Sequence, residues 1–257
     1  MTRPTVSATV LTLNNAATLE RCLESIQWVD EIVVVDSLST DGSMEIAQRH
    51  TNRVFRRLWP GFIAQRNFSK EQTTGEWILW VDADEVVSPG LRAEMEEVLR
   101  EASPTMEGFL VPRCTHYLGR WIRHGAWYPD LSVRLFRSDG NRWGGQEPHA
   151  SVQVRGRVKR LRNDLLHYNY ASFGHQIRTI DHYAELSAQE LRRRGARFQL
   201  RKMLLHPPGR FLKEYFLLQG FRDGMPGLII VISTMFYVFA KYAKLWELER
   251  AEAQRGR

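Results

Sequence analysis

The chain has 257 residues and carries 36 Lys and Arg against 29 Asp and Glu, a formal charge of +7. That length suits one large α/β domain with an appendage and is enough to bury a substantial core. Its only cysteines, Cys22 and Cys114, exclude a disulfide framework and a cysteine-based zinc site, so a reducing cytoplasm is the default compartment.

Met1-Thr2-Arg3-Pro4 runs directly into the first expected strand, with no apolar signal segment before it. Thr5 to Leu13 alternates and is β-branched, which predicts a strand. Asn14 and Asn15 then offer a helix N-cap, and Leu19, Cys22, Leu23 and Ile26 recur at helical spacing. Glu31 to Val35 predicts a second buried strand ending at Asp36. Ser37 to Ser43 has loop chemistry, and Met44 to His50 resumes a helix. A strand near Arg53 to Phe55 and a helix from Phe62 to Glu71 lead into an apolar run, Trp77 to Val81. Strands alternating with helices predict a mainly parallel sheet flanked by helices, with ligands at the carboxyl ends of its strands.

The run ends abruptly in Asp82-Ala83-Asp84-Glu85. Carboxylates delivered to a sheet edge are costly unless something positive sits there, and a hard divalent cation suits them because it keeps positions for water and phosphates. The competing reading is an acidic turn before a helix that starts near Ser88-Pro89. Asp36 ends its own strand at the same predicted edge, which favours a ligand site.

The stretches TLNNAATLERCLES, EIVVVDSLSTDGS, QRN and GEWILWVDADE, in that order, resemble the nucleotide-binding half of family 2 glycosyltransferases of the GT-A fold. The resemblance covers roughly residues 4 to 100. Where that family usually reads Asp-Asp-Gly-Ser-x-Asp-Gly, this chain has Asp36-Ser37-Leu38-Ser39-Thr40-Asp41-Gly42. Further on, RLFR (Arg134 to Arg137), GGQEPHA and LLHYNY resemble, more loosely, a branch that includes lipopolysaccharide core glucosyltransferases.

The resemblance implies roles residue by residue. Asp36 accepts a hydrogen bond from the uracil of a UDP-sugar, Arg66 lies near the phosphates, and Thr12 and Asn14 complete the nucleotide set. Asp82 contacts ribose or a metal-bound water, and Asp84 ligates Mg²⁺ or Mn²⁺. Glu85 either supports that ion or begins the next helix. His167 joins the metal or binds the pyrophosphate, unless it is a hydrogen-bonded core histidine. Inverting transfer also needs one general base. Relatives of the narrower branch often read His-Glu or His-Asp where this chain has His149-Ala150. Glu147 is then the preferred substitute, with Asp130 second; if neither is placed correctly, the chain is an impaired relative.

Tyr117, Trp121, Trp127 and Tyr128 interleave with Arg113, Arg120, Arg123 and His124, which suits an acceptor sugar stacked on rings and held by arginines. Within that expectation Trp121, Arg123, Trp127, Tyr128 and His149 form the acceptor set; a peripheral aromatic core with an arginine rim is the alternative. Basic groups follow at Arg155, Arg157, Lys159, Arg160 and Arg162, and at Arg192, Arg193, Arg194, Arg197, Arg201 and Lys202. They favour anionic lipid or phosphorylated glycolipid; without any nucleic-acid-binding motif, no nucleic acid partner is expected.

Composition changes near Ala171, and Gly224 to Ala240 carries no charge. A helix from Pro226 to Ala240 is about 22 Å long, short of the roughly 30 Å of a bilayer core. An interfacial or re-entrant anchor, or a helix buried in a dimer or against the catalytic domain, is expected instead. The expected divisions are 1–105 for the nucleotide-sugar half, 106–170 for the acceptor-side half and 171–257 for a helical C-terminal extension. Together these imply a metal-dependent inverting hexosyltransferase, glucose favoured, bound peripherally to the cytoplasmic face of a bacterial inner membrane. It would act on a lipopolysaccharide-core or lipid-linked acceptor. A sugar-nucleotidyltransferase is disfavoured because Leu13-Asn14-Asn15-Ala16 has no glycine for a phosphate loop. A non-catalytic anionic-glycolipid-binding protein with a vestigial nucleotide site remains the alternative.

Overall fold

The alternating text after Arg3 forms strand β1, Val6–Thr12, and it is buried along nearly its whole length. The computed structural model describes residues 3–147, 149–170 and 172–255. They fall into two compact units, Met1–Cys114 with Asp130–Tyr168, and Thr115–Pro129 with Asn169–Arg257.

In the first unit, β1 is followed by α1 (Ala16–Ser25), β2 (Glu31–Asp36), α2 (Ser43–His50), β3 (Val54–Arg56), α3 (Phe62–Glu71), β4 (Trp77–Asp82), β5 (Glu85–Val87) and α4 (Pro89–Glu101). Strands β3, β2, β1 and β4 are neighbours and parallel. The apolar runs of β2 and β4 are continuous rather than alternating because helices cover both faces. Val6, Ala8, Val10, Val34, Trp77 and Leu79 pack with Leu19, Leu23 and Ile26 and with Leu91, Met95 and Leu99. Each such large side chain contributes about 1.5–3 kcal/mol on burial.

Two helix starts follow the sequence expectation differently. Ser88 caps α4, its Oγ accepting from Leu91 N at 3.2 Å, with Pro89 in the first turn. Asn15 stands at the start of α1 but its side chain turns back to accept from Leu13 N. Asp41 serves α1 instead, accepting from Ala16 N at 3.0 Å.

Beyond β4 the sheet continues in a manner that the alternating text did not announce. The long β6 (Met106–Tyr117) and, after β7 (Arg120–Trp121), β8 (Asp130–Arg137) follow, with β8 pairing antiparallel to both β4 and β6. A hairpin of β9 (Arg142–Gln146) and β10 (His149–Gln153) stands as a separate two-stranded sheet. β11 (Arg157–Arg160) runs parallel beside β6, and β12 (Leu165–His167) pairs antiparallel with β5.

The second unit takes the end of β6 together with β7 and adds helices α5 (Phe173–Arg193), α6 (Leu200–Phe211) and α7 (Gly224–Arg255). Thus 115–129, expected in the acceptor-side half, groups with the C-terminal helices. Ser172 caps α5 by accepting from His175 N. α6 runs through Pro207 and Pro208 into a π-helical turn, Leu212–Leu217. Tyr117, Ile122 and Ile230 form one small core, and Ala188, Tyr242 and Leu245 another. α7 does not stop at Ala240 as expected. Tyr242, Leu245 and Leu248 carry the apolar period onward, and Lys244 pairs with Asp181 and Glu185 at 3.0 and 3.1 Å. Its 32 residues span about 48 Å at 1.5 Å per residue. It is long and apolar enough to cross a membrane, judged by length and composition alone.

Candidate active site

Parallel pairing brings the expected carboxylates to one edge. Thr12 lies opposite Asp36 in the β1–β2 register, and Leu11 lies opposite Asp82 in the β1–β4 register. Asp36 is fully buried. Its Oδ2 accepts from the backbone N–H of Leu38 and Ser39 at 3.1 and 3.0 Å. Its Oδ1 is buried with no hydrogen-bond partner among the described residues. Buried polar atoms are nearly always satisfied, so an orphan of this kind calls for an explanation. Asn14 sits at φ 55°, its Oδ1 accepting from Thr40 N at 2.8 Å while its own N–H donates to Ser39 Oγ. The Thr12 hydroxyl donates to Asn15 Oδ1. Thr12 and Asn14 therefore shape the loop that holds Asp36.

Asp82 and Asp84 diverge in their surroundings. Asp82 accepts from Arg66 at 3.2 Å and stands 3.7 Å from Arg134. Burial alone would raise its carboxyl, but Arg66, Arg134 and Arg113 outweigh that and hold it below the usual carboxylate range. The Arg66 guanidinium lies 4.0 Å from the Trp80 ring and 4.4 Å from the Trp143 ring. Desolvation there lowers its pKa, partly offset by Asp82. Asp84 faces His167, Oδ2 to Nε2 at 3.3 Å. Strand β12 sets His167 there by pairing it with Glu85. Among the described residues no group of three or more His, Cys, Asp or Glu side chains is gathered for a metal. Asp84 and His167, both expected as metal ligands, stand in contact with each other.

Glu85 does not begin a helix; it opens β5 and is held by arginines. It is fully buried and receives both guanidinium nitrogens of Arg134 at 2.7 Å, while its Oε2 accepts from Asp82 N at 2.9 Å. Arg113 also donates to it, at 3.2 Å, and bridges to Asp130. Burial would lower the Arg113 pKa, but Glu85, Asp130 and Asp82 drive it well upward. This bidentate network locks the Asp-x-Asp turn to β6 and β8. RLFR stands out in the sequence, but the partner of its Arg134 lies 49 residues away.

Glu147 has another task than the one expected of it. Its carboxylate accepts from Phe62 N at 3.0 Å and Ile63 N at 2.7 Å, capping the start of α3. Gly61 permits this: at φ 118°, a Cβ there would meet Glu147 Oε1 at 3.0 Å. Asp130 begins β8 with its side chain 47% exposed and paired to Arg113.

The expected acceptor residues belong to the second unit, except His149, which opens β10 and whose side chain lies outside the described residues. Trp121 is in β7 and stacks edge-on with His116. Arg123 and His124 donate their backbone N–H groups to Asp223 at 3.0 and 2.7 Å. The Arg123 guanidinium lies 5.9 Å from the Tyr128 ring. Trp127 packs against Tyr117 and Tyr170.

Comparison with known proteins bears on these arrangements. The family model for Glycosyl transferase family 2 matches residues 7–162. The chain is 30% identical over 256 residues to the lipopolysaccharide core biosynthesis glycosyltransferase LpsC of Rhizobium meliloti, spanning 97% of this chain and 94% of the relative. An uncharacterised glycosyltransferase of Rickettsia felis is 25% identical, over 96% and 90% of the two chains. Among solved structures, the mannosyltransferase PcManGT of Pyrobaculum calidifontis, in complex with GDP-mannose and Mn²⁺, matches with a TM-score of 0.52 and 17% identity, over 96% of this chain and 88% of that one. That last likeness is one of fold, the GT-A fold.

Proposed function

The chain belongs to glycosyl transferase family 2, and from that premise we propose that it moves a hexose, glucose favoured, from a UDP-sugar to a lipopolysaccharide-core or lipid-linked acceptor. The near full-length similarity to LpsC supports the acceptor class. The observation that carries the donor assignment is the buried, unpartnered Oδ1 of Asp36. At a strand end it suits the ring N–H of a uracil, which a carboxylate accepts strongly.

The Arg66 guanidinium, against Asp82, would supply positive charge for a diphosphate, and Glu85 with Arg134 holds the Asp-x-Asp turn still. Asp84 and His167 fit a divalent ion, Mg²⁺ or Mn²⁺, because such ions accept one or two protein ligands and fill the rest with phosphate and water. When bound, the ion would neutralise charge on the departing diphosphate. Inverting displacement joins the acceptor oxygen to the anomeric carbon as the bond to UDP breaks, and the hydroxyl proton passes to a base. With Glu147 engaged by α3, Asp130 is our candidate for that base.

A peripheral location at the cytoplasmic face of an inner membrane accords with the second unit, where Leu205, Leu217 and Met225 are 68%, 78% and 66% exposed. Arg201, Lys213 and Arg222 lie in the same exposed segments. A second reading, a glycolipid-binding protein with a vestigial nucleotide site, keeps its footing in Ala150 and in the engagement of Glu147.

The deciding experiment is UDP release from a panel of UDP-sugars, with Mn²⁺ or with EDTA, for wild type and Asp84→Ala. Metal-dependent release from one donor, lost in the variant, supports the transferase and names the sugar. UDP binding with no release, even with a membrane-extract acceptor present, sinks it in favour of the vestigial site.

A further inference from the structure

The second unit holds a half-open cavity of about 270 Å³, lined by Trp127, Tyr170, Tyr183 and Tyr237 together with Arg210 and Glu214. Glu214 is fully buried, and both of its carboxylate oxygens lack a partner in hydrogen-bonding geometry among the described residues. Arg210, one helical turn earlier, pairs with it ionically. Glu214 sits in the π-helical turn Leu212–Leu217, and single π turns inside helical text gather at functional sites. Thr179 and Thr234, also on the wall, already donate their hydroxyl protons to the carbonyls of His175 and Ile230. Their remaining capacity is to accept. The cavity thus joins aromatic rings to the Glu214 carboxylate, with Arg210 and Gln176 among its donors.

We propose that this cavity is a sugar-binding subsite that takes one pyranose ring, with the Glu214 carboxylate accepting from adjacent hydroxyls and the aromatic side chains covering the ring's C–H face. A polyhydroxylated ring offers several donors to the Glu214 carboxylate, and an apolar face that the rings match. A lipid chain would leave the Glu214 carboxylate with Arg210 alone, whereas ring hydroxyls would add hydrogen bonds to a charged group. The subsite rests on the transferase reading only in supposing that the ring belongs to the acceptor; the binding itself does not depend on that reading.

The test uses the full chain and the methyl glycosides of glucose, galactose and mannose, followed by saturation-transfer NMR and tryptophan fluorescence, with UDP affinity measured in parallel. At least one glycoside should bind wild type at millimolar concentration, and Glu214→Gln should weaken it at least about tenfold, the loss of a hydrogen bond to a charged group. UDP affinity and the far-ultraviolet circular dichroism should stay within error, which separates a lost ligand contact from a lost fold. Should Glu214→Gln unfold, Tyr183→Leu provides the same comparison by removing one ring from the wall. No binding by any of the three glycosides, or equal binding by wild type and a folded variant, overturns the subsite. Failure of UDP to bind would instead overturn the donor assignment and leave the glycoside result standing.

Discussion

Arg134 and Glu85 decide whether the strand-end carboxylates are held in place. The pair is buried, so its net worth over an apolar substitute is small, but removing one partner leaves the other charge without compensation. Glu85→Gln should therefore cost about 3–5 kcal/mol, read by urea unfolding; a cost under 1 kcal/mol would mean that the turn is held otherwise. Asp82 carries a pH signature. Its folded carboxyl lies below the ordinary range because Arg66, Arg134 and Arg113 overcome the effect of burial. A depressed carboxyl contributes stability that is present above the unfolded pKa of about 3.9 and lost as pH falls through the lower folded value. Below about pH 4 wild type should lose stability more steeply than Asp82→Asn, and superimposable acid limbs would count against it. Leu38 is a different case. It holds φ 68°, where its side chain costs about 1–2 kcal/mol, against roughly 0.5–1 kcal/mol for the added freedom of glycine in the unfolded chain. Leu38→Gly should leave stability unchanged or raise it by up to about 1.5 kcal/mol, and a clear loss in thermal unfolding would show that the Leu38 side chain has a packing role. These positions also mark what was legible. Asp36, Asp82 and Asp84 stand out because an apolar run stops at a carboxylate, a signal contained in a few adjacent residues. The Arg134–Glu85 bond joins residues on β8 and β5, and no local pattern connects them.

At the scale of elements, legibility follows sequence distance. Strand β1 alternates, β2 and β4 are continuous apolar runs, and α1 to α4 have regular periods and, for α4, a serine cap. The antiparallel half was not legible: β5, β7 and β12 are two or three residues long, and their existence is set by partners far away in the chain. Glu147 shows the consequence. As text it is an acid in a glycine-rich loop; in the fold it caps α3 across 84 and 85 positions. A side-chain acceptor at a helix start contributes about 1 kcal/mol, and a carboxylate adds favourably to the helix dipole. Glu147→Gln should thus lower stability by about 1 kcal/mol while leaving UDP release within a few-fold. Asp130→Asn should lower the rate of transfer by two or more orders of magnitude, the size expected for loss of a general base, with UDP binding retained. If the two results were exchanged, Glu147 would be the base after all, and its bonds to α3 would have to open during turnover.

For the whole molecule, the charge of +7 and the surface of the second unit lead to one expectation. Along α7, Met225, Ile232, Phe236, Phe239 and Trp246 are exposed, at spacings of seven, four, three and seven residues, so they share one stripe of the helix. The opposite side, with Ile230, Val231, Tyr242 and Leu245, is buried in the unit's own cores. A helix crossing a bilayer alone would need lipid on every side, so partial burial favours a helix lying with one face outward. The exposed Leu204, Leu205, Phe216, Leu217 and Phe221 add apolar area in the preceding segments, well beyond scattered surface residues. Buried methylenes at about 0.8 kcal/mol each and basic residues at about 1 kcal/mol each near an anionic surface would then act together. Screening weakens the second contribution but not the first. The protein should accordingly sediment with membranes at low salt and be released only in part by 1 M NaCl, where the Debye length is about 3 Å. Leu217→Glu combined with Met225→Glu should convert that into full release by salt, with UDP affinity unchanged. Complete release of the wild type by salt alone would reduce the contact to electrostatics. Retention of the double variant after the salt wash would move the apolar attachment elsewhere on the chain.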